Sequence, residues 1–142
     1  MQLLDVNILI EAHRKDAPKH EEVSAWLMRE LQTYPGVAVS EFVLSSFLRI
    51  VTHPKIFKMP TPLPEALEFV EDFRSRKSVR IAMPGDTHWR IFMDLLERYE
   101  ATGNLIPDAY HAALALENGD TWISLDRGFA RYTCLDWRHP LD

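Results

Sequence analysis

The stretch that decides the fold spans residues 104–129 and reads NLIPDAYHAALALENGDTWISLDRGF. Its alanine- and leucine-rich middle favours a helix, with Pro107 suited to the first turn and a glycine at the end. The β-branched and aromatic residues 121–124 then favour a short buried strand. Asp108 stands near the start of the helix and Asp126 follows the strand. We therefore expect both carboxylates on one rim of a sheet.

The composition sets broad limits on what the chain can be. With 142 residues, 46% of them hydrophobic, it is predicted to form one domain over residues 1–142. A single cysteine excludes an intramolecular disulfide, and we find neither a signal-peptide pattern nor an apolar run long enough for a bilayer. We therefore expect a cytoplasmic protein with no membrane partner. The net charge of −5 argues against coating nucleic acid by bulk charge, but it allows acids in a pocket.

Strand-like and helix-like segments alternate along the whole chain. Strands are predicted at residues 2–6, 37–39, 79–82 and 121–124. Helices are predicted between them, two of which are assigned Asp16 and Asp86 as N-terminal caps. Residues 129–140 are expected to form a short edge strand or a packed extended end. This order predicts an α/β domain with a mainly parallel sheet, helices on both faces and right-handed crossovers.

Acidic residues follow several of these strands. The ends of parallel strands meet at one edge of a sheet, and Asp5, Glu41 and Asp126 each come shortly after a predicted strand. Asp108 begins a helix that must face the same edge. Singly, such aspartates have ordinary explanations, as partners of a helix dipole or as turn residues. Together, four carboxylates repel one another unless a cation neutralises them.

Oxygen ligands identify the kind of cation. Carboxylates and water suit Mg²⁺ or Mn²⁺, whereas zinc is disfavoured because no HExxH motif is present. A magnesium ion with open water positions is suited to phosphodiester hydrolysis, so a nuclease is the natural hypothesis. Asn7, Ser40 and Ser124 stand beside the acids and are predicted to hold them or their waters. Neither GxGxxG nor GxxxxGK[ST] occurs, so ATP chemistry has no support.

Several motifs resemble a known family. LDVN at 4–7, NLIPDA at 104–109 and SLDRGF at 124–129 are similar to those of the PIN-domain family. Within it, three further motifs resemble VapC-type toxins of type II toxin–antitoxin modules: FLRIVTHP at 47–54, PGDTHW at 84–89 and LDWRHPL at 135–141. The similarity covers essentially the whole chain. It implies a PIN-like three-layer α/β/α fold and a Mg²⁺- or Mn²⁺-dependent endoribonuclease toxin.

The resemblance also implies partners. It implies a homodimer, an RNA substrate of the tRNA or rRNA class, and neutralisation by a VapB-type antitoxin. The C-terminal segment of that antitoxin would lie across the acidic groove and place a basic side chain near the carboxylates. Arg49 and Arg127 are candidate contacts for the substrate or the antitoxin.

The family acids transfer to this sequence position by position, with one departure. Asp5, Asp108 and Asp126 match three family acids and are the implied metal ligands. Many PIN domains carry a further glutamate about where Ser46 lies, whereas this chain offers Glu41. Five residues turn a helical side chain by about 140°, so Glu41, predicted as a fourth catalytic acid, must reach the site by a different path.

Two other functions remain open from the sequence. One is a catalytically lapsed PIN-fold binding module that docks a basic partner segment on its acidic edge, with Ser46 as the sign of a lost centre. The other is a phosphatase or phospho-acceptor domain. The latter fits less well because the first strand ends in Asp-Val-Asn, and asparagine cannot perform acid–base chemistry.

Overall fold

The computed structural model describes residues 1–142 and alternates strands with helices. The strands are β1 (Gln2–Leu4), β2 (Val37–Ser40), β3 (Val79–Ala82), β4 (Thr121–Ile123) and β5 (Trp137–Arg138). The helices are α1 (Val6–His13), α2 (His20–Gln32), α3 (Glu41–Val51), α4 (Leu63–Arg74), α5 (His88–Arg98) and α6 (Leu105–Asn118). A short 3₁₀-helix, Arg127–Arg131, follows β4.

The five strands form one sheet in the order β3-β2-β1-β4-β5, and every neighbouring pair is parallel. Strand β1 is central, with Leu3 paired to Ala38 of β2 on one side and to Trp122 of β4 on the other. The helices flank the sheet, which confirms the predicted α/β/α architecture. Within the C-terminal tail, β5 confirms the predicted edge strand. All five strands end at the same edge, and the residues that follow β1, β2 and β4 lie along it.

The core explains why the short strands hold. It is one cluster of 31 buried hydrophobic residues, and Leu3 and Leu4 of β1 are fully buried within it. Such continuous apolar strands are typical of parallel sheets covered on both faces. Gly119 ends α6 in the left-handed conformation, with φ of 68°, as the sequence predicted. None of the helices has the length and hydropathy needed to cross a membrane.

The predicted cap at Asp16 is wrong. Helix α2 begins at His20, and its first turn has no side-chain cap. Asp16 instead accepts hydrogen bonds from the Arg14 guanidinium, at 2.9 and 2.6 Å. Arg14 is buried, donates to the carbonyl of Met59 at 2.7 Å and lies over the Phe57 ring at 4.0 Å. Arg14 therefore fastens the loop before α4 to the end of α1, and Asp16 pairs with its charge.

The predicted cap at Asp86 is also wrong. Helix α5 begins at His88, and the neighbouring backbone N–H groups are satisfied by Glu117, near the end of α6. Its carboxylate accepts from the backbone of Gly85 at 2.7 Å and from that of Thr87 at 3.0 Å. These hydrogen bonds lower the pKa of Glu117 against the opposing effect of desolvation. A cap supplied from a distant helix leaves no local sequence signal.

Candidate active site

Asp5 is the most deeply buried acid of the candidate site and lies directly between β1 and α1. Its Oδ1 accepts the backbone N–H of Val6 at 2.6 Å, which makes Asp5 the N-cap of α1. Its own N–H donates to the carbonyl of Ile123 at 2.9 Å and fixes Asp5 to β4. The residue is only 7% exposed. The fold therefore holds this carboxylate at the sheet edge through its backbone and its side chain.

Ser124 and Asn7 fix the second oxygen of Asp5. Ser124, the first residue after β4, donates its hydroxyl to Asp5 Oδ2 at 2.6 Å. The Asn7 amide donates to the same oxygen at 3.1 Å and to Ser124 Oγ at 3.0 Å. Asn7 Oδ1 accepts from the backbone of Leu125 at 3.1 Å, which defines the orientation of the amide. These two polar residues thus connect the ends of two neighbouring strands around one carboxylate.

Asp126 stands at the same junction. Its backbone N–H donates to Ser124 Oγ at 3.0 Å, and its Oδ1 accepts from the backbone of Gly128 at 2.8 Å. Asp126 therefore caps the 3₁₀-helix that follows β4. Its other oxygen, Oδ2, accepts no hydrogen bond within the protein.

The negative charges of Asp108 and Asp126 act on Asp5, and the charge of Asp126 acts on Asp108. Burial raises the pKa of Asp5 to about 6; the hydrogen bonds from Ser124 and Val6 oppose that rise, and the negative charges of Asp108 and Asp126 add to it. Burial and the charge of Asp126 raise the pKa of Asp108, whereas Arg131 lowers it. The fold brings three predicted acids together from β1, α6 and the end of β4. An excess of negative charge is left among them.

Sequence reasoning missed Arg131 and Tyr132, which both interact electrostatically with Asp108. Tyr132 is buried, and its hydroxyl donates to the carbonyl of Leu105 at 3.4 Å. Its pKa is raised by burial and by the charge of Asp108, whereas the exposed Arg131 lowers it. The signal available in the sequence was the position of Arg131 and Tyr132 shortly after Asp126, at the far end of the short helix that Asp126 caps. Arg131 brings positive charge to the acids.

The β2 edge is arranged differently. Ser40 is the N-cap of α3, with its hydroxyl accepting from the backbone of Val43 at 3.1 Å. Glu41 is the first helical residue, and its carboxylate accepts from Arg74 at 2.6 Å with a side chain that is 56% exposed. Ser46, at the usual family glutamate position, is half-buried within α3. The structure thus places Glu41 on Arg74 rather than among the three aspartates.

The two predicted arginine contacts lie on the surface. Arg49 is exposed in the last turn of α3. Arg127 donates to both carboxylate oxygens of Asp142, at 2.9 and 2.8 Å, and these bonds raise its pKa.

His111, one turn after Asp108, is buried and stacks on Trp122 with ring centroids 5.2 Å apart. Burial lowers the pKa of His111 to about 4, so this imidazole is neutral near neutral pH.

The aspartates suit a hydrated divalent cation better than a closed metal cage. No three acidic, histidine or cysteine side chains converge closely enough to enclose an ion. Magnesium, however, usually takes one or two protein carboxylates and completes its shell with waters and substrate phosphates. The three carboxylates supply oxygen ligands and uncompensated negative charge, so the residues present fit magnesium or manganese in that manner. They offer no nitrogen or sulfur set for zinc.

Comparisons with known proteins agree with this architecture. A family model described as PIN domain matches residues 3–133. VapC ribonuclease Mb2897 of Mycobacterium bovis is 40% identical over 142 residues, which are 100% of this chain and 97% of that protein. Ribonuclease VapC25 of Mycobacterium tuberculosis is 39% identical over 140 residues, 99% of each chain.

Solved structures share the fold at lower identity. VapBC2 from Rickettsia felis, bound to a DNA fragment from their promoter, superposes with a TM-score of 0.72 at 20% identity and covers 97% of both chains. VapBC-1 from nontypeable Haemophilus influenzae gives a TM-score of 0.68 at 18% identity, covering 99% of this chain and 98% of that one. Family model, full-length relatives and fold point the same way: this chain belongs to the PIN-domain family and, within it, to the VapC proteins.

Proposed function

We propose that this protein is a Mg²⁺- or Mn²⁺-dependent endoribonuclease and the toxin of a VapBC type II toxin–antitoxin module. The observation that carries the proposal is the buried Asp5 carboxylate, fixed by Ser124 and Asn7 beside Asp108 and Asp126. Full-length relatives that bear the name VapC ribonuclease support it. Acids that far apart in sequence, gathered at one sheet edge, suit metal-assisted cleavage of a phosphodiester.

Asp5, Asp108 and Asp126 would hold the cation. When bound, it would supply an activated water and stabilise charge on the phosphate. Ser124 and Asn7 keep Asp5 oriented by donating to one oxygen, which also favours its ionised form. Burial of Asp5 keeps bulk water away from this carboxylate and strengthens its interaction with a cation.

Glu41 is proposed as a fourth acid. To act, its carboxylate must leave Arg74, and both side chains of that ion pair are substantially exposed. Exposed pairs of this kind are worth about 0–1 kcal/mol, so the exchange is inexpensive. Glu41 would then approach from the β2 side of the site.

The proposed partners follow from the family. We propose a VapB-type antitoxin, and the solved Rickettsia felis neighbour, VapBC2 with a fragment of their promoter, supports this class of partner. A basic antitoxin side chain would neutralise the excess negative charge among the three aspartates. We also propose a homodimer, which sedimentation or light scattering would show as twice the 16.5 kDa chain mass. The proposed substrate is RNA of the tRNA or rRNA class.

The deciding experiment is cleavage of structured RNAs by the purified protein. tRNAs and ribosomal fragments are incubated with Mg²⁺, with Mn²⁺ or with a chelator, and cleavage is expected only with a metal. Asp5→Asn and Asp108→Asn should abolish cleavage and growth inhibition. Asp94→Asn makes the same chemical change at an exposed position of α5 and serves as the matched control. Cleavage retained by both site variants would contradict the metal mechanism.

Three observations favour a second candidate, the lapsed binding module. Glu41 is tied to Arg74, Ser46 replaces the usual acid, and no ready-made set of three ligands exists. This function predicts tight binding of a basic partner segment without turnover of any RNA. Cleavage in the RNA screen therefore separates it from the nuclease.

A further inference from the structure

The short 3₁₀-helix that Asp126 caps carries an arginine at each end, and the two differ in their partners. The guanidinium of Arg127, at the start, donates hydrogen bonds to both carboxylate oxygens of Asp142. Arg131, at the end, is exposed and belongs to none of the ion pairs of the structure. The guanidinium donors of Arg131 are therefore free for an external ligand.

The backbone that carries Arg131 is held firmly. Phe129 and Tyr132, on either side, are 2% and 1% exposed, and Phe129 packs on Trp122 with ring centroids 5.4 Å apart. The Tyr132 hydroxyl donates to the carbonyl of Leu105, the first residue of α6. Helix α6 also carries Asp108 in its first turn. The chain thus presents a free cation from a rigid base beside one of the three aspartates.

We propose that Arg131 binds a phosphate group of the RNA substrate next to the carboxylates. The proposal rests on the proposed ribonuclease function. A polyanion approaching three carboxylates on a chain of net charge −5 is repelled, so a nearby cation is needed to bring the backbone into place. A guanidinium offers two parallel donors to phosphate oxygens and stays charged at every relevant pH. The influence of Arg131 on the pKa of Asp108 shows that its charge reaches the acids.

Arg131, rather than Arg127, is then the main phosphate contact on this side of the site. Using Arg127 for RNA requires breaking its bidentate contact with Asp142. Using Arg131 breaks no ion pair. Its contact with phosphate would also fix where the RNA backbone runs relative to Asp108 and Asp126.

The test compares Arg131→Ala and Arg131→Lys with Arg29→Ala, an exposed arginine of α2 that serves as the matched loss of one cation. RNA that the wild-type protein cleaves is bound to each variant in an Asp5→Asn background, and fluorescence anisotropy gives Kd at several salt concentrations. Arg131→Ala should weaken binding about tenfold or more. It should also reduce the slope of log Kd against log salt by about 0.7, the value for one lost phosphate contact on a single strand.

Arg131→Lys separates a phosphate contact from a structural role. Lysine keeps the charge but lacks the planar guanidinium with its two parallel donors. The slope of log Kd against log salt should therefore return to the parental value, while Kd should lie between those of the parent and Arg131→Ala. In the active background, Arg131→Ala should raise KM more than it lowers kcat. The Arg29→Ala variant should match the parent in both measurements.

The outcomes separate this inference from the proposed function. If the wild-type protein cleaves RNA but Arg131→Ala matches Arg29→Ala in Kd and salt slope, Arg131 is not a phosphate contact and the nuclease stands. If Arg131→Ala loses affinity but keeps the parental salt slope, its effect is structural and the inference fails. If the wild-type protein cleaves none of the RNAs, the proposed function fails and this inference fails with it.

Discussion

The edges of β1 and β2 carry the same sequence signal, an acid directly after an apolar strand and at the start of a helix, yet the two acids end in opposite surroundings. Asp5 is 7% exposed and bonded to Ser124, whereas the Glu41 side chain is 56% exposed and bonded to Arg74. The difference follows from which residue caps the helix. Asp5 caps α1 itself, whereas Ser40 caps α3 and displaces Glu41 by one position.

A shift of one residue at the cap therefore decides where a strand-end acid points. The N-cap side chain turns back toward the first backbone N–H groups and stays at the sheet edge. The next residue is already helical, so its side chain leaves the edge and finds partners on a neighbouring helix. Glu41 meets Arg74 of α4 in this way.

The largest expected effect tests the acids of the β1 and β4 edges. Asp126→Asn removes a negative charge but keeps a side chain that can cap the 3₁₀-helix through Gly128. We expect RNA cleavage to fall below detection while the unfolding midpoint stays close to that of the wild type. Gel assays of RNA cleavage and thermal unfolding measure the two quantities. A variant that cleaves normally would remove Asp126 from the proposed metal site.

The second prediction compares the serines of the two edges. Ser124→Ala removes the hydrogen bond to the Asp5 carboxylate, and the loss of such a supporting contact at a metal site costs about 10–100-fold in activity or metal affinity. Ser40→Ala removes the cap of α3 and should lower the free energy of unfolding by about 1 kcal/mol. Metal titrations and urea unfolding separate the two effects. Equal losses of metal affinity in both variants would contradict the prediction that Ser124 supports the metal site and Ser40 only caps α3.

The third prediction concerns pH. Because the pKa of Asp5 is raised to about 6 from the ordinary 3.8, the folded chain holds this proton more tightly than the unfolded chain. The stabilisation from that proton is complete below the ordinary value and is lost as pH rises through about 6. It amounts to at most about 3 kcal/mol, since each pKa unit corresponds to about 1.4 kcal/mol.

Urea unfolding of the wild type and of Asp5→Asn without metal, at pH 4.5 and pH 7, measures most of that loss as the difference between the two proteins. The comparison is needed because His111, whose pKa burial lowers to about 4, changes the stability in the opposite direction over this range. Mg²⁺ should recover part of it at pH 7, because the cation binds the ionised carboxylate and therefore the folded chain. Asp5→Asn removes the titrating group and should flatten this part of the pH dependence. If the wild type and Asp5→Asn show the same change in stability between pH 4.5 and pH 7, Asp5 is not held in a desolvated, negatively charged setting.

The sequence could predict the architecture and the convergence of acids for a physical reason. Apolar strands that alternate with amphipathic helices favour a parallel sheet covered by helices. In such a sheet the residue after each strand lies at a common edge. Asp5 and Asp126 were found in this way. Their orientation depends on contacts between distant residues, such as Ser124 with Asp5, and these have no local signature. The partner of Glu41 is equally distant in sequence.

The misplaced helix caps have the same origin. Asp16 and Asp86 are good cap residues in good positions, but tertiary contacts supplied better partners. Asp16 accepts hydrogen bonds from the Arg14 guanidinium, and the Glu117 carboxylate, rather than Asp86, accepts the backbone N–H groups before α5. Local propensity sets the candidates for a cap, and packing between elements then chooses among them. Arg131 was missed because its role depends on where the end of a short helix lies relative to Asp108.

The smallest expected effect decides whether the β2 edge takes part in catalysis at all. If Glu41 is the fourth acid, Glu41→Gln should slow cleavage by less than the loss of a fixed ligand does, because Glu41 reaches the site only after leaving Arg74. Arg74→Ala should then leave cleavage equal or faster, since it frees the carboxylate at the cost of an exposed ion pair worth about 0–1 kcal/mol. Single-turnover cleavage rates of the two variants measure this. If both variants match the wild type, Glu41 serves only the surface of α3 and α4, and three aspartates carry the site. If Arg74→Ala slows cleavage as much as Glu41→Gln, the ion pair itself is what the site requires, because it positions α3 against α4.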